Sequence, residues 1–303
     1  MRNIILFLSI FFISSAAQAQ VVVSIKPLHS LVLGVAEGSN IKVSLLVDGK
    51  TSLHEFSLKP SQAKALHSAR AVFYMSDEFE QFLAKILPQL PVATKRVAMQ
   101  EVKNLTLYPV RVGNGFEAHE EHHGEHEHHA HENHDLHAWM SPANARVMVK
   151  EITLTLSQVD PKQASLFAAN AKKLDAKLVA LDTDLQKRMA KLKDKPFVVF
   201  HDAYQYFDRA YGLKNIGSIT LHPEHGLSAK RVSELREKIK TSGATCVFRE
   251  PQFESKIVGS LMQGTKAKDG VLDPEGALLT PSANLYFELM QGLAASLEKC
   301  LLS

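Results

Sequence analysis

The chain has 303 residues, with 35 Lys and Arg against 32 Asp and Glu, a formal net charge of +3 that becomes +2 without Arg2. Basic residues spread evenly with so little excess charge exclude nucleic acid as an expected partner.

Residues 1–19 read as a secretory signal. Arg2 is the basic start, Ile4 to Ile13 is an apolar run, and Ala17-Gln18-Ala19 is a small-x-small cleavage site. Cleavage after Ala19 would start the mature chain at Gln20. The apolar run is too short to span a bilayer and none of that length follows, so a soluble exported protein is expected. The remaining 284 residues suit two domains or one large one.

The first half alternates strand and helix. Strands are predicted at Val21–Ile25, Ile41–Val47, Ala71–Tyr74 and Val92–Val97. Helices are predicted from Pro27 to Ala36, from Ser61 to Ala69 and from Asp77 to Leu87. Short apolar strands separated by helices argue for a parallel sheet in an α/β layer.

Residues 117–137, EAHEEHHGEHEHHAHENHDLH, interrupt this order. They hold nine of the fifteen histidines: His119, His122, His123, His126, His128, His129, His131, His134 and His137. Seven carboxylates are mixed in, and almost nothing is apolar. Such a segment buries no core and reads as a mobile loop over 117–136. Imidazole suits zinc, copper and nickel, so the loop is a many-ligand, low-order metal trap. A segment of this kind does not fix four ligands in one geometry, and a tight site belongs elsewhere.

After the loop, Ser141-Pro142 is an N-cap and first-turn pair for a helix to about Leu156. Asp160-Pro161 opens another. Leu174, Leu178, Leu181, Leu185, Met189 and Leu192 then recur every three or four residues, which predicts one helix of about 33 residues, near 50 Å long. It reads as a rigid strut over 158–194 between an N-terminal domain, 20–157, and a C-terminal domain, 195–303; the same spacing also serves a coiled coil. The second half repeats the first in style. Strands are predicted at Phe197–Phe200, Ile216–Leu221, Thr245–Phe248 and Val271–Leu272. Helices are predicted at Asp202–Tyr211, Ser228–Thr241, Glu254–Gln263 and from Ser282 onward. The fold class is therefore α/β: two mostly parallel sheets flanked by helices, joined by one long helix, with a metal site in the cleft. Cys246 and Cys300 are the two cysteines, and an even count in an exported chain points to one disulfide rather than two unpaired buried thiols.

In open α/β sheets ligands bind beyond the carboxyl ends of strands. His54 follows the second strand, His201 follows Phe197–Phe200 directly, Asp273 follows Val271-Leu272, and His137 sits where the loop rejoins ordered chain. Three imidazoles and a carboxylate make a coherent four-coordinate zinc shell. Alone, each is also an ordinary turn or cap residue. His29 reads as structural, His67 as a surface or cap position, and His222 and His225 as a weaker loop pair.

The stretches HEFSLKPSQ from His54, DLHAWMSPANAR from Asp135, VFHDAYQYFDRAYGL from Val199, CVFREPQF from Cys246 and LDPEG from Leu272 stand in this order. Together they resemble the periplasmic zinc-binding proteins of bacterial zinc ABC uptake systems, the ZnuA type, across nearly the whole mature chain. The resemblance implies metal ligands at His54, His137, His201 and Asp273, and a disulfide between Cys246 and Cys300. It also implies Zn2+ as cargo, a periplasmic location, and a membrane permease with its cytoplasmic ATPase as partners. Members of this type can carry a glutamate just before the first histidine; here Leu53 stands there and Glu55 follows. The fourth position thus falls to Asp273, Glu55 or water, and alternation along an extended stretch turns Glu55 away from His54, which favours Asp273. Nothing in the sequence points to an oligomer, so a monomer is expected.

Other readings are a periplasmic zinc buffer with no transporter, or a zinc hydrolase. His119-Glu120-Glu121-His122-His123 and His122-His123-Gly124-Glu125-His126 match HExxH and its inverse. Those motifs need an amphipathic helix with an apolar face, and this segment has none.

Overall fold

The computed structural model describes residues 20–49, 56–111, 134–220, 229–252 and 255–303. Two four-stranded parallel sheets organise them. The first contains β1 (Gln20–Val23), β2 (Lys42–Leu45), β3 (Ala71–Tyr74) and β4 (Lys95–Ala98), in the order β2-β1-β3-β4. The second contains β5 (Phe197–His201), β6 (Asn215–Thr220), β7 (Cys246–Arg249) and β8 (Lys268–Val271), in the order β6-β5-β7-β8. The two halves thus share one topology. Central strands covered on both faces read as unbroken apolar runs. Val21 to Val23 and Ala71 to Phe73 are fully buried for that reason.

In each sheet the chain leaves the first strand on one side and returns on the other, which opens a crevice at the carboxyl ends of the two central strands. In the first sheet that crevice lies between β1 and β3 and is filled by Glu80. Its carboxylate accepts from the Ser24 hydroxyl at 2.6 Å and from the backbone N–H groups of Met75 and Ser76 at 3.0 Å. This explains why residues 77–87 do not form the predicted α-helix. Their apolar spacing suits one, but Glu80 is drawn inward, and only short 3-10 turns form at Gln81–Leu83 and Leu87–Gln89.

The helices are α1 (Lys26–Ala36), α2 (Pro60–His67), α3 (Pro142–Val159), α4 (Ala164–Met189), α5 (Gln205–Tyr211), α6 (Ala229–Ser242), α7 (Ser255–Met262) and α8 (Leu285–Leu301). Ser141 caps α3 as its sequence suggests, accepting from Asn144 N. The long helix α4 has 26 residues, shorter than the spacing predicts. Its first turn, Pro161–Gln163, is 3-10, and residues 190–194 are turns. At 1.5 Å per residue it is about 39 Å long. Its buried stripe, Phe167, Leu174, Leu178, Leu181, Leu185 and Met189, recurs at helical spacing. Near its start, Asn170 donates to Val35 O and Glu37 O at the end of α1. Near its end, Asp182 accepts from the Tyr211 hydroxyl on α5, and Arg188 pairs with Glu298 on α8. One helix therefore braces both halves. Cys246 and Cys300 form a disulfide that ties the start of β7 to α8.

Candidate metal centre

His201 is the last residue of β5, and Glu250 is the first residue after β7. These strands are neighbours in the second sheet, so the two side chains meet at its crevice. His201 Nδ1 lies 2.6 Å from Glu250 Oε1, and Glu250 is only 1% exposed. Burial disfavours the His201 imidazolium, but the Glu250 charge and hydrogen bond outweigh it and hold the pKa above the ordinary imidazole value.

His137 reaches the same place from the other half. It precedes the 3-10 turn Ala138–Met140 and is ringed by Phe79 and Trp139, whose centroids lie 5.8 and 5.2 Å from its own. Asp135 Oδ1 accepts both the backbone N–H and the Nδ1–H of His137, each at 2.9 Å. The Nε2 atoms of His137 and His201 stand 3.4 Å apart.

Each Nδ1 thus donates to a carboxylate, and in the neutral imidazoles this turns the Nε2 lone pairs toward one another. Two such nitrogens are satisfied by a cation between them, a metal ion or a proton shared as an Nε2–H···Nε2 hydrogen bond. Two imidazoles on one tetrahedral zinc, with Zn–N bonds of 2.0–2.1 Å, place their nitrogens about 3.3 Å apart. The spacing here matches that requirement.

Asp273 lies in the turn after β8. Its Oδ1 accepts from Glu275 N and its Oδ2 from Leu278 N, both at 3.3 Å, so it shapes its own turn. That turn is fastened to the His137 turn, because the Trp139 indole donates to Pro274 O at 2.9 Å and Tyr286 donates to Trp139 O at 2.8 Å. Lys26, at the start of α1, donates to the carbonyls of Gly276, Ala277 and Leu279. Glu275 is half-buried beside His201; burial pushes its pKa up to about 8, against the attraction of that imidazole.

Among the described residues, no three His, Cys, Asp or Glu side chains converge into a metal shell by themselves. His54 and Glu55 lie outside the described residues, as do His119, His122, His123, His126, His128, His129 and His131. His134 is described, in an antiparallel bridge with Pro109. The chain just before residues 50–55 reaches the turn after β8, and the chain just after them packs on Phe82. Gly49, at φ +73°, has its would-be Cβ 3.1 Å from Ala277 Cα, and the Phe56 ring packs on Phe82 at 4.8 Å. Sequence reasoning did not single out Glu250, Glu275 or the orienting role of Asp135. For Glu250 a signal was present: a carboxylate immediately after a buried strand.

The family model for the periplasmic zinc-uptake complex component A, ZnuA, matches residues 21–300. The high-affinity zinc uptake system protein ZnuA of Brucella abortus (strain 2308) is 43% identical over 305 residues, covering 93% of this chain and 91% of its own length. Its counterpart in Haemophilus influenzae is 32% identical, with 94% of each chain covered. Among solved structures, a zinc-bound ZnuA deletion mutant superposes with a TM-score of 0.76 at 24% identity, over 94% of this chain and 98% of that one. The zinc-bound ZnuA-like domain of Streptococcus pneumoniae AdcA gives 0.71 at 22%, over 93% and 100%. At those identities the structural likeness speaks for the fold, and the sequence matches carry the kinship. This chain belongs to the ZnuA family, component A of periplasmic zinc-uptake complexes.

Proposed function

We propose that this chain captures Zn2+ in the periplasm and delivers it to the permease of an ABC importer. The family consists of zinc-uptake receptors and not enzymes, which sets aside the hydrolase reading. One observation carries the zinc reading: the facing Nε2 atoms of His137 and His201, 3.4 Å apart, each backed through Nδ1 by a carboxylate. His54 supplies the third imidazole, and Asp273 the oxygen in preference to Glu55 or water. Support for His54 comes from Gly49, which precedes its segment and packs against Ala277 in the turn after β8. Three imidazoles favour zinc over manganese, which prefers more oxygen.

The histidine-rich segment, His119 to His134, is a second and weaker zinc trap that raises the local metal concentration. The chain acts as a monomer after cleavage behind Ala19, and its second partner is the ATPase of the importer. Among the described residues, no helix is long and apolar enough to cross a membrane.

Calorimetric zinc titration with EDTA competition tests the site. The intact chain and one lacking residues 117–134 should both bind one zinc tightly, while His137→Ala and His201→Ala should lose it. If tight binding leaves with the segment and survives His201→Ala, the assignment is reversed. Growth in chelated medium should require the protein if it feeds an importer, and should be indifferent to it if it is only a buffer.

A further inference from the structure

The histidine-rich segment has two described roots, residues 108–111 before it and 134–137 after it. Asp135 N donates to Tyr108 O at 2.8 Å, which pairs the roots with each other. Both are stitched to α5. The Tyr206 hydroxyl accepts from Tyr108 N at 3.3 Å and donates to Asp135 O at 2.8 Å. Gln205 Nε2 donates to Pro109 O at 3.2 Å, and the Arg209 guanidinium lies 4.4 Å over the Tyr108 ring. Arg111 makes the strongest tie. Its Nε donates to Asp202 Oδ2 at 2.8 Å, and its Nη2 bridges Asp202 Oδ1 and Asp208 Oδ2. Asp208 is held in turn by Asn215 Nδ2 at 2.9 Å.

The position of these ties matters more than their number. Asp202 follows His201 in the chain, and Asp135 is the residue that orients the His137 ring. Most of the attachments are polar; the Tyr108 ring packs on Tyr206 at 5.1 Å, while Val110 is 42% exposed. A buried bidentate Arg–carboxylate fork is geometrically strict, which makes it suited to fixing position.

We propose that Arg111 and Tyr206 are positioning residues for the cation site: they clasp the turn that carries His137 onto the turn that carries His201, and so set how firmly two imidazoles from opposite halves grip one ion. This rests on the reading of His137 and His201 as zinc ligands. The histidine-rich segment is then rooted on the binding site itself.

The test uses the intact chain with Arg111→Lys, which keeps the charge but loses the fork, and Tyr206→Phe, which loses one oxygen. Zinc release into excess chelator is followed by stopped flow. The visible bands of the Co2+-loaded protein report coordination, which a merely structural role would leave unchanged. Each variant should fold with wild-type circular dichroism, release zinc at least about fivefold faster, and show altered Co2+ bands. Wild-type release rates and Co2+ spectra in both folded variants would overturn the proposal. If Arg111→Lys does not fold, Tyr206→Phe decides alone. His201→Ala is the control: if it releases zinc at the wild-type rate, the ligand assignment itself fails and this inference falls with it.

Discussion

Replacing Glu250 by Gln removes a charge and little else, so it isolates what the carboxylate does for His201. The contact is 2.6 Å long, and Glu250 is 1% exposed, so the bond is charge-assisted and shielded from water. Hydrogen bonds to charged groups contribute about 1.5–3 kcal/mol, and 1.4 kcal/mol is about tenfold in affinity. Loss of a carboxylate behind a metal-bound histidine generally weakens binding about 10- to 100-fold. The two routes agree, so zinc affinity at pH 8 should fall about 10- to 100-fold in Glu250→Gln.

The acid limb of binding should move the other way. In the native chain the pKa of His201 is raised, so protons displace zinc as pH falls through that raised value. In Glu250→Gln the charge vanishes while an acceptor oxygen and the burial remain, and the pKa moves down. The variant should therefore bind more weakly at pH 8, while the pH at which its affinity begins to decline should lie lower than in the native chain. Competition titrations from pH 5 to 8 measure both. Unchanged affinity at pH 8 together with an unmoved acid limb would refute the reasoning; weaker binding with an unmoved limb would reduce Glu250 to a packing residue.

Other perturbations read other parts of the fold. Cys246→Ser with Cys300→Ser opens a link across a sequence separation of 54 and should cost about 4 kcal/mol on the chain-entropy model, read by urea unfolding. Because the disulfide joins the start of β7 and Glu250 follows its end, zinc affinity should not change. Burial lowers the pKa of His29 to about 4, and among the described residues its Nδ1 has no hydrogen-bond partner. A depressed folded-state pKa means that the unfolded chain takes the proton first, so stability is lost as pH falls from about 6.5 toward 4. Between pH 7.5 and 4.5 this group should remove on the order of 2–3 kcal/mol, and His29→Leu should flatten the decline accordingly. Trp139→Phe leaves Pro274 O without its donor in a buried place; it should cost about 1–3 kcal/mol and weaken zinc binding by loosening the turn after β8 from the turn of His137.

Local chemistry was legible where one local cause decides. Val21 to Val23 and Ala71 to Phe73 are strands because their apolar runs are buried on both faces, and Ser141-Pro142 starts a helix because cap and first turn agree. His201 was placed by its position after a strand. What the sequence concealed depends on which distant segments become neighbours. Glu250 backs His201 because β7 lies beside β5, 49 residues away, and strand order is not written in either strand. Arg111 meets Asp202 across 91 residues. The error over residues 77–87 has the same origin. Phe79, Phe82, Leu83, Ile86 and Leu87 have helical spacing, but the unfilled N–H groups at the end of β3 recruit Glu80, and that tertiary demand overrides the local pattern.

The same distribution of contacts bears on how an ion leaves. A hinge between the halves would have to peel α4 from α1 and α3 at one end or from α5 and α8 at the other. Its buried stripe includes Phe167, Leu174, Leu178, Leu181, Leu185 and Met189, and exposing any one of these costs about 1.5–3 kcal/mol. Moving two or three of them would consume much of the stability of an ordinary domain. Lys26 and Trp139 add fixed links between the first half and the turn after β8. The stem at 108–111 adds further ties to α5: the Tyr108 ring packs on Tyr206 at 5.1 Å, and the polar contacts each contribute about 1 kcal/mol, or about 3 for a charge-assisted one. A hinge between the halves is therefore disfavoured, because α4 stays packed against α1 and α3 at one end and α5 and α8 at the other.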